Sequence, residues 1–394
     1  MRLVALLLML MTGPAWAQSD FSGFIASLRN EAVASGVSGT SYDALTAGLT
    51  PDPRVPSLVE TQPEFTIPVW DYIDTRVNAG RIERGRAALE RNAAVFNLIG
   101  QQSGVDPYLL GAIWGIETDY GAVLANESLI RPIVRSLATV TFARRSRFAE
   151  DKADFFAALR LTEANGGVAP VGSWAGAIGH LQVNPSNVLK HGTDGDGDGR
   201  VDLHGSLADA LATSAKFLRD MGYAPGLDWG FEVTVPHGFD YLLATREQLR
   251  PVSFFTERGI TRVSGRLFSD PSTPVFLYVP AGQSGPKFLM TGNYLVLKGY
   301  NFSDSYAMAV AHLTDRLKGA GPYATPWPRN TQFPNLDQRR AIQAALQTLG
   351  LYGGEVDGRL GPVTQAAYAR FQASRGEIAD GFITRAAYEA LTGR

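Results

Sequence analysis

The sequence predicts a mainly α protein of α+β class, with a small β-rich insertion and a separate small helical unit at its C-terminus. Three observations carry this. Apolar residues recur at helical spacing from Phe21 to about residue 165 and again over 206–221. Between Phe231 and Val279 the pattern changes to short runs rich in Val, Phe and Tyr, broken by Pro and Gly. After a stretch holding Pro322, Pro326, Pro328 and Pro334, helical spacing returns in a compact segment from Leu336 to Gly393.

The chain has 394 residues, enough for two or three domains and a large core. It is 45% hydrophobic and 19% charged with a net charge of −2, so its overall balance points to neither nucleic acid nor an anionic membrane. Met1-Arg2, an apolar run from Leu3 to Met11 and Thr12-Gly-Pro-Ala-Trp-Ala17 read as a secretory signal peptide cut after Ala17. The run is shorter than the ~20 residues of a spanning helix. There is no cysteine, hence no disulfide and no lipid-modified cysteine. The expectation is an exported, soluble, periplasmic protein with no membrane anchor.

Element by element, Phe21 to Ala34 is an amphipathic helix stopped at Gly36, and Pro51, Pro53 and Pro56 interrupt the pattern. Gln62 to Ile73 opens another helix, and Gly85 to Leu98 a further one. Residues 128–165 are helical with Phe142, Phe148, Phe155 and Phe156 as core, and Arg144, Arg145 and Arg147 read as a solvated basic face. Ser206 to Met221 is helical. Phe231–Val235, Thr261–Val263 and Val275–Val279 are strands, and Gly292–Asn301 begins as an apolar, strand-like run before a helix capped by Ser303.

Three stretches carry chemistry. In Tyr108 to Gly121, Leu110, Ile113, Trp114 and Glu117 share one helix face, with Asp106-Pro107 as the start and Gly121 as the stop. Glu117 is then a lone carboxylate in the last turn of an apolar helix. Desolvation and the negative helix end both favour its protonated form, as a general acid requires. The alternative for this segment is a Glu on a solvated helix edge. Gly172 to Ser186 combines three glycines with Trp174 and the neutral polar residues Ser173, Gln182, Asn184 and Ser186, which suits a sugar site or an ordinary capped loop. Asp194-Gly-Asp-Gly-Asp-Gly-Arg-Val-Asp202 matches the first part of an EF-hand loop. Asp194, Asp196, Asp198, the Arg200 carbonyl and Asp202 are its ligands, and Asp209 stands in for the missing Glu at position 12. The expected ion is structural Ca2+, the alternative an empty acidic turn. No organic cofactor is implied, and His180, His191, His204, His237 and His312 show no zinc-ligand spacing.

The C-terminal segment has a weak internal repeat. Asp357-Gly358 precedes Thr364 and a helix with Tyr368 and Phe371, and Asp380-Gly381 precedes Thr384 and a helix with Tyr388 and Leu391. Its size suits a binding module better than an enzyme.

Residues from about 20 to 318 resemble the lytic murein transglycosylase B family. The resemblance rests on Gly115-Ile-Glu-Thr-Asp-Tyr-Gly121, Ser173-Trp-Ala-Gly-Ala-Ile-Gly179 with Gln182 and Pro185-Ser186, the Asp194–Asp202 loop, and Asn293 to Asn301 running on to Tyr306-Ala-Met-Ala-Val310. The C-terminal unit resembles the small three-helix peptidoglycan-binding domain through Asp357-Gly, Gly361, Thr364 and Phe371-Gln372. The resemblance implies a lysozyme-like catalytic domain over 18–318, a linker over 319–335 and a binding domain over 336–394. It also implies cleavage of the MurNAc–GlcNAc β-1,4 bond in peptidoglycan glycan strands. It maps the acid/base onto Glu117 and substrate contacts onto Ser173, Gln182, Tyr300, Asn301 and Tyr120. Leu181-Gln-Val-Asn184 departs from the family's usual sequence around the glutamine. Two other readings compete: a hydrolytic muramidase using Asp119 as second carboxylate, and a non-catalytic wall-binding scaffold.

Overall fold

Helices dominate the computed structural model, which describes residues 15–60, 67–126, 128–144 and 147–393, with the side chains of 15–19, 59 and 60 set aside. The signal-peptide run up to residue 14, the Gln62–Phe65 helix start and Arg145 lie outside the described residues. In chain order the helices are α1 (Ala15–Ser27), α2 (Arg29–Ala34), α3 (Gly39–Thr46), α4 (Val55–Glu60), α5 (Val69–Arg76), α6 (Ala79–Arg91), α7 (Ala93–Ser103), α8 (Pro107–Thr118), α9 (Ile133–Ala143), α10 (Phe148–Ala164), α11 (Pro185–His191), α12 (Leu207–Asp220), α13 (Val252–Thr256), α14 (Gly292–Asn301), α15 (Asp304–Leu317), α16 (Leu336–Thr348), α17 (Pro362–Ser374) and α18 (Arg385–Thr392). The strands are β1 (Arg131–Pro132), β2 (Val171–Gly172), β3 (Gly230–Thr234), β4 (Arg250–Pro251), β5 (Thr261–Arg262), β6 (Pro274–Tyr278) and β7 (Lys287–Thr291). Among the described residues, no helix is long and apolar enough to cross a membrane.

The chain forms two compact units. The first comprises residues up to 60, 123–192 and 202–205. Its centre is the α9–α10 pair, where Leu137, Phe155 and Leu159 are buried. Phe21 meets Phe142 edge-to-face at 5.3 Å. The Arg135 guanidinium donates to the carbonyls of Thr50 and Pro51, so the proline segment is tied to α9. Arg144 is not on a solvated face as expected. It is buried, and its Nε donates to Asp151 Oδ2 at 2.7 Å, a partner seven residues on in α10.

The second unit comprises 61–122, 193–201 and 206–394. Its axis is α15, where every residue from Ser305 to Thr314 is buried. Helix α15 packs on α5, α8 and α14. A helix buried all round needs small residues, and Ala307, Ala309 and Ala311 supply them. The expected single helix over Gly85–Leu98 is two, broken at Asn92, whose side-chain amide turns back onto the Ala88 carbonyl.

The β-rich insertion is a five-stranded antiparallel sheet in the order β4-β6-β7-β3-β5. Val233, Val275, Leu277 and Leu289 face Val252 and Phe255 of α13 and Ile260, forming a core of their own. On the other face Phe276 and Tyr278 meet Tyr294 of α14 at 6.0 and 5.8 Å. The run after Thr291 is helical, not strand-like. Thr291 caps it by accepting from the Asn293 amide, which starts α14 where β7 ends.

Helices α16, α17 and α18 enclose Ile342, Leu346, Ala367, Phe371, Ile383 and Ala387. The internal repeat has a physical basis. The buried Gln343 accepts from the Gly358 amide at 2.7 Å and donates to Asp357, and Gln372 accepts from the Gly381 amide at 2.8 Å and donates to Asp380. Each Asp-Gly turn is therefore read by one glutamine. The segment before this bundle is no free spacer. The Glu232 carboxylate accepts from the Ala324 and Thr325 amides, Arg329 pairs with Asp74, and Tyr323 stacks on His312 at 4.1 Å.

Candidate active site

Helix α8 starts as its sequence dictates: Asp106 accepts from the Tyr108 amide and Pro107 occupies the first turn. It ends in three left-handed residues, Asp119 (φ 49), Tyr120 (φ 59) and Gly121 (φ 87). Glu117 thus sits in the final turn of a helix whose Leu109 to Ile116 are all buried. The Tyr306 hydroxyl, from α15, donates to Glu117 Oε1 at 2.7 Å. Burial and the Glu117 charge push the Tyr306 phenol well up, so it is a permanent donor. Tyr300, from the end of α14, lies parallel to Tyr306, centroid to centroid 6.3 Å, and its hydroxyl is 3.1 Å from Ser214 Oγ on α12. Burial and Glu117 raise the Tyr300 phenol as well. Asn301 is the last residue of α14 and is half-buried. Glu117, Tyr306, Tyr300 and Ser214 therefore form one row supplied by four helices.

The sequence gives Tyr306 a place in a motif but no role, and gives Ser214 neither. Tyr306 meets Glu117 across 189 residues; it opens the Tyr306–Val310 stretch of the family resemblance and follows the Ser303 cap, but neither signal names its partner. Tyr120, expected as a substrate contact, packs between two helices. Its hydroxyl is buried without a hydrogen-bond partner among the described residues, and its ring packs on Trp114 at 5.6 Å. A Cβ at Gly85 or Gly115 would meet the Tyr120 side chain at 2.2 or 2.6 Å. Tyr120 locks α6 to α8, and Gly115 is the residue that admits it. Asp119, the second carboxylate a muramidase would use, is held by Arg81 (3.3 Å) and Arg84 (2.9 Å).

Ser173 and Gln182 lie in the first unit, in one loop pinned by the bridges Gly172↔Ile178 and Ile178↔Val183. Ser173 Oγ accepts from the Ala177 amide at 3.2 Å, and Gln182, at φ 49, donates from Nε2 to the Gly179 carbonyl at 2.9 Å. A Cβ at Gly179 would come within 2.0 Å of the Leu203 carbonyl. In the atypical segment Leu181 and Val183 are core residues under this loop, and Asn184-Pro185 start α11. The Ser186 amide and hydroxyl both donate to Asp154, so Pro185-Ser186 is a helix start read by a buried carboxylate. Burial and the neighbouring His204 push the His180 imidazole down to about 4.

Of the expected calcium ligands, Asp194, Asp196 and Asp209 bring one oxygen each within 4.8 Å of one another. Gly199 and Gly197 amides hold the Asp194 carboxyl low, hence ionised, and Asp209 is buried in the first turn of α12. Three converging carboxylates fit a hard, oxygen-seeking cation. Asp198 and Asp202 lie outside this group of three. Asp198 accepts from the Arg200 amide, and Asp202, in the first unit, accepts from the His204 and Gly205 amides. Both carboxylates cap their own turns.

Residues 20–315 match the transglycosylase SLT domain family, and residues 335–391 a peptidoglycan binding domain family. SltB3 from Pseudomonas aeruginosa, solved with NAG-anhNAM-pentapeptide and with NAG-NAM-pentapeptide, is 36% identical. It covers 94% of this chain and 99% of its own, with TM-scores of 0.84 and 0.85. The membrane-bound lytic murein transglycosylase B of Escherichia coli K12 is 24% identical over 244 residues, which are 60% of this chain and 64% of that protein. Slt35 of Escherichia coli, solved in complex with calcium, shares the fold at 20% identity over 78% of this chain and 95% of its own, with a TM-score of 0.61.

Proposed function

The chain belongs to the transglycosylase SLT domain family, and on that premise we propose that it is a peptidoglycan lytic transglycosylase with Glu117 as its single acid/base. The observation that carries this is the Tyr306–Glu117 hydrogen bond at the buried end of α8, with Asp119 already committed to two arginines. Protonated Glu117 donates to the oxygen of the MurNAc–GlcNAc β-1,4 bond. The substrate's own N-acetyl oxygen stabilises the positive charge developing at C1, so no second carboxylate is needed. The Glu117 carboxylate then takes the proton of the MurNAc 6-hydroxyl as that oxygen attacks C1. The bond to the leaving sugar breaks, a 1,6-anhydro ring forms, and no water is consumed.

Ser173, Gln182, Tyr300 and Asn301 are the proposed substrate contacts, and residues 336–394 the module that holds glycan. Asp194, Asp196 and Asp209 would hold Ca2+, which supplies charge neutralisation to the loop before α12. The N-terminal signal sequence would deliver the protein to the periplasm. Digestion of purified peptidoglycan by wild type and Glu117→Gln, read by mass spectrometry, tests the reading. Products one water lighter than muramidase fragments, lost in the variant, are expected. Reducing-end products, or full activity in Glu117→Gln, would overturn it.

A further inference from the structure

A cavity of about 300 Å³ opens in the second unit between the α16–α18 bundle and helices α5, α14 and α15. Trp70, Phe302 and Phe382 give it aromatic walls. Its charged lining is unbalanced: Lys298, Arg339 and Arg359 face a single carboxylate, Asp304. Asp304 is already neutralised, since it takes Lys298 at 2.8 Å, Arg246 at 2.9 Å and the Tyr294 hydroxyl at 2.8 Å. Asp357 is near enough to Arg339 to attract its charge and accepts from the Arg359 amide. These groups together are four cations against two carboxylates. Surplus positive charge at a partly buried surface favours an anionic occupant.

Backbone dipoles add to this. Ser303, Asp304 and Ser305 begin the 14-residue α15, and Gly361 and Pro362 begin the 13-residue α17; all five line the cavity. The positive ends of two helices thus border the same space. Helices α14 and α15 are also those that carry Tyr300 and Tyr306, so an occupant touches the frame of the candidate active site.

We propose that this cavity is a subsite for the carboxylate-bearing peptide stem of peptidoglycan, with Arg339, Arg359 and Lys298 facing its carboxylates and Trp70 and Phe382 its apolar side chains. The proposal rests on peptidoglycan being the substrate. It makes the enzyme discriminate between stem-bearing and stripped glycan through a site separate from Glu117.

The test uses the full chain. Free stem pentapeptide is titrated into Glu117→Gln by calorimetry, and the active protein is assayed on glycan strands before and after amidase removes the stems. Saturable peptide binding is expected, weakened roughly ten-fold by Arg359→Glu, the loss of one charge-assisted contact. The same substitution raises KM several-fold more for stem-bearing glycan than for stripped glycan, so that the difference between the two substrates, rather than an unchanged basal rate, reports the stem. Gln365→Trp, which fills the cavity from α17, gives the same pattern by a steric route. Absence of saturable binding, or equal changes on both glycans, overturns the proposal, as does binding of a polyphosphate in place of the peptide. Failure to form anhydro products from either glycan would instead sink the transglycosylase reading, with peptide binding to Glu117→Gln still measured independently.

Discussion

Tyr306→Phe removes one oxygen and leaves the packing of α15 in place. The oxygen matters because it is the 2.7 Å donor to Glu117, on a side chain only 1% exposed, so water has little access to replace it. A hydrogen bond to a charged group, here the Glu117 carboxylate that takes the 6-hydroxyl proton in the second step, contributes about 1.5–3 kcal/mol. If that energy holds Glu117 in the orientation for proton transfer, its loss lowers kcat by roughly 10- to 150-fold. KM should change little, because both partners are protein groups. The assay is release of soluble fragments from peptidoglycan, with kcat and KM on soluble glycan and a thermal melt to confirm folding. A kcat within about two-fold of wild type, with intact structure, would refute the claim that Tyr306 positions Glu117.

Further outcomes follow from other contacts. Asp154→Ala removes the carboxylate that accepts from the Ser186 amide and hydroxyl, and should cost about 1–2 kcal/mol, seen as a lower thermal midpoint. Asp154→Asn, which keeps an acceptor oxygen, should recover most of it. A calcium chelator should lower the midpoint of wild type, while Asp209→Asn should already be low and insensitive to chelation; equal responses would dismiss the site. Burial and Arg316 push His312 down to about 4 from an ordinary value of 6.5. The unfolded chain binds the extra proton first, so this stability is complete above pH 6.5 and is lost as pH falls towards 4, by roughly 3 kcal/mol. Asp315, raised by burial to about 6, works in the opposite sense, losing stability as pH rises from about 4 to 6. His312→Phe should therefore remove the acid-side loss in denaturant titrations at pH 7, 5 and 4, and an unchanged pH slope would refute the assignment.

Much of this was legible because its causes are local. Asp106-Pro107 starts α8, Ser206 and Ser303 cap α12 and α15, and the alternation in 231–235 and 275–279 gives strands within a residue of those observed. What escaped depends on partners remote in sequence. Gly292–Asn301 has the apolar run of a strand, yet the Thr291 cap and burial of Tyr294 beneath the sheet make it a helix. Tyr120 lies in the motif of the acid, but its packing against Gly85, 35 residues earlier, carries no signal in the sequence of either segment.

The segment 319–335 shows the same limit with a functional consequence. Four prolines argue for a stiff spacer that sets only distance. Glu232, Asp74 and His312 convert it into a strap, and Asp380 adds a hydrogen bond from the Gln283 amide at 2.9 Å. Gly282, at φ +63, has no room for a Cβ beside Asp380, so this contact is built into the chain. A tethered module raises local glycan concentration and tolerates changes in linker length. A strapped one presents glycan in one orientation, and its benefit depends on geometry. The second case makes the strap contacts, rather than linker length, the quantities on which glycan binding by the module depends.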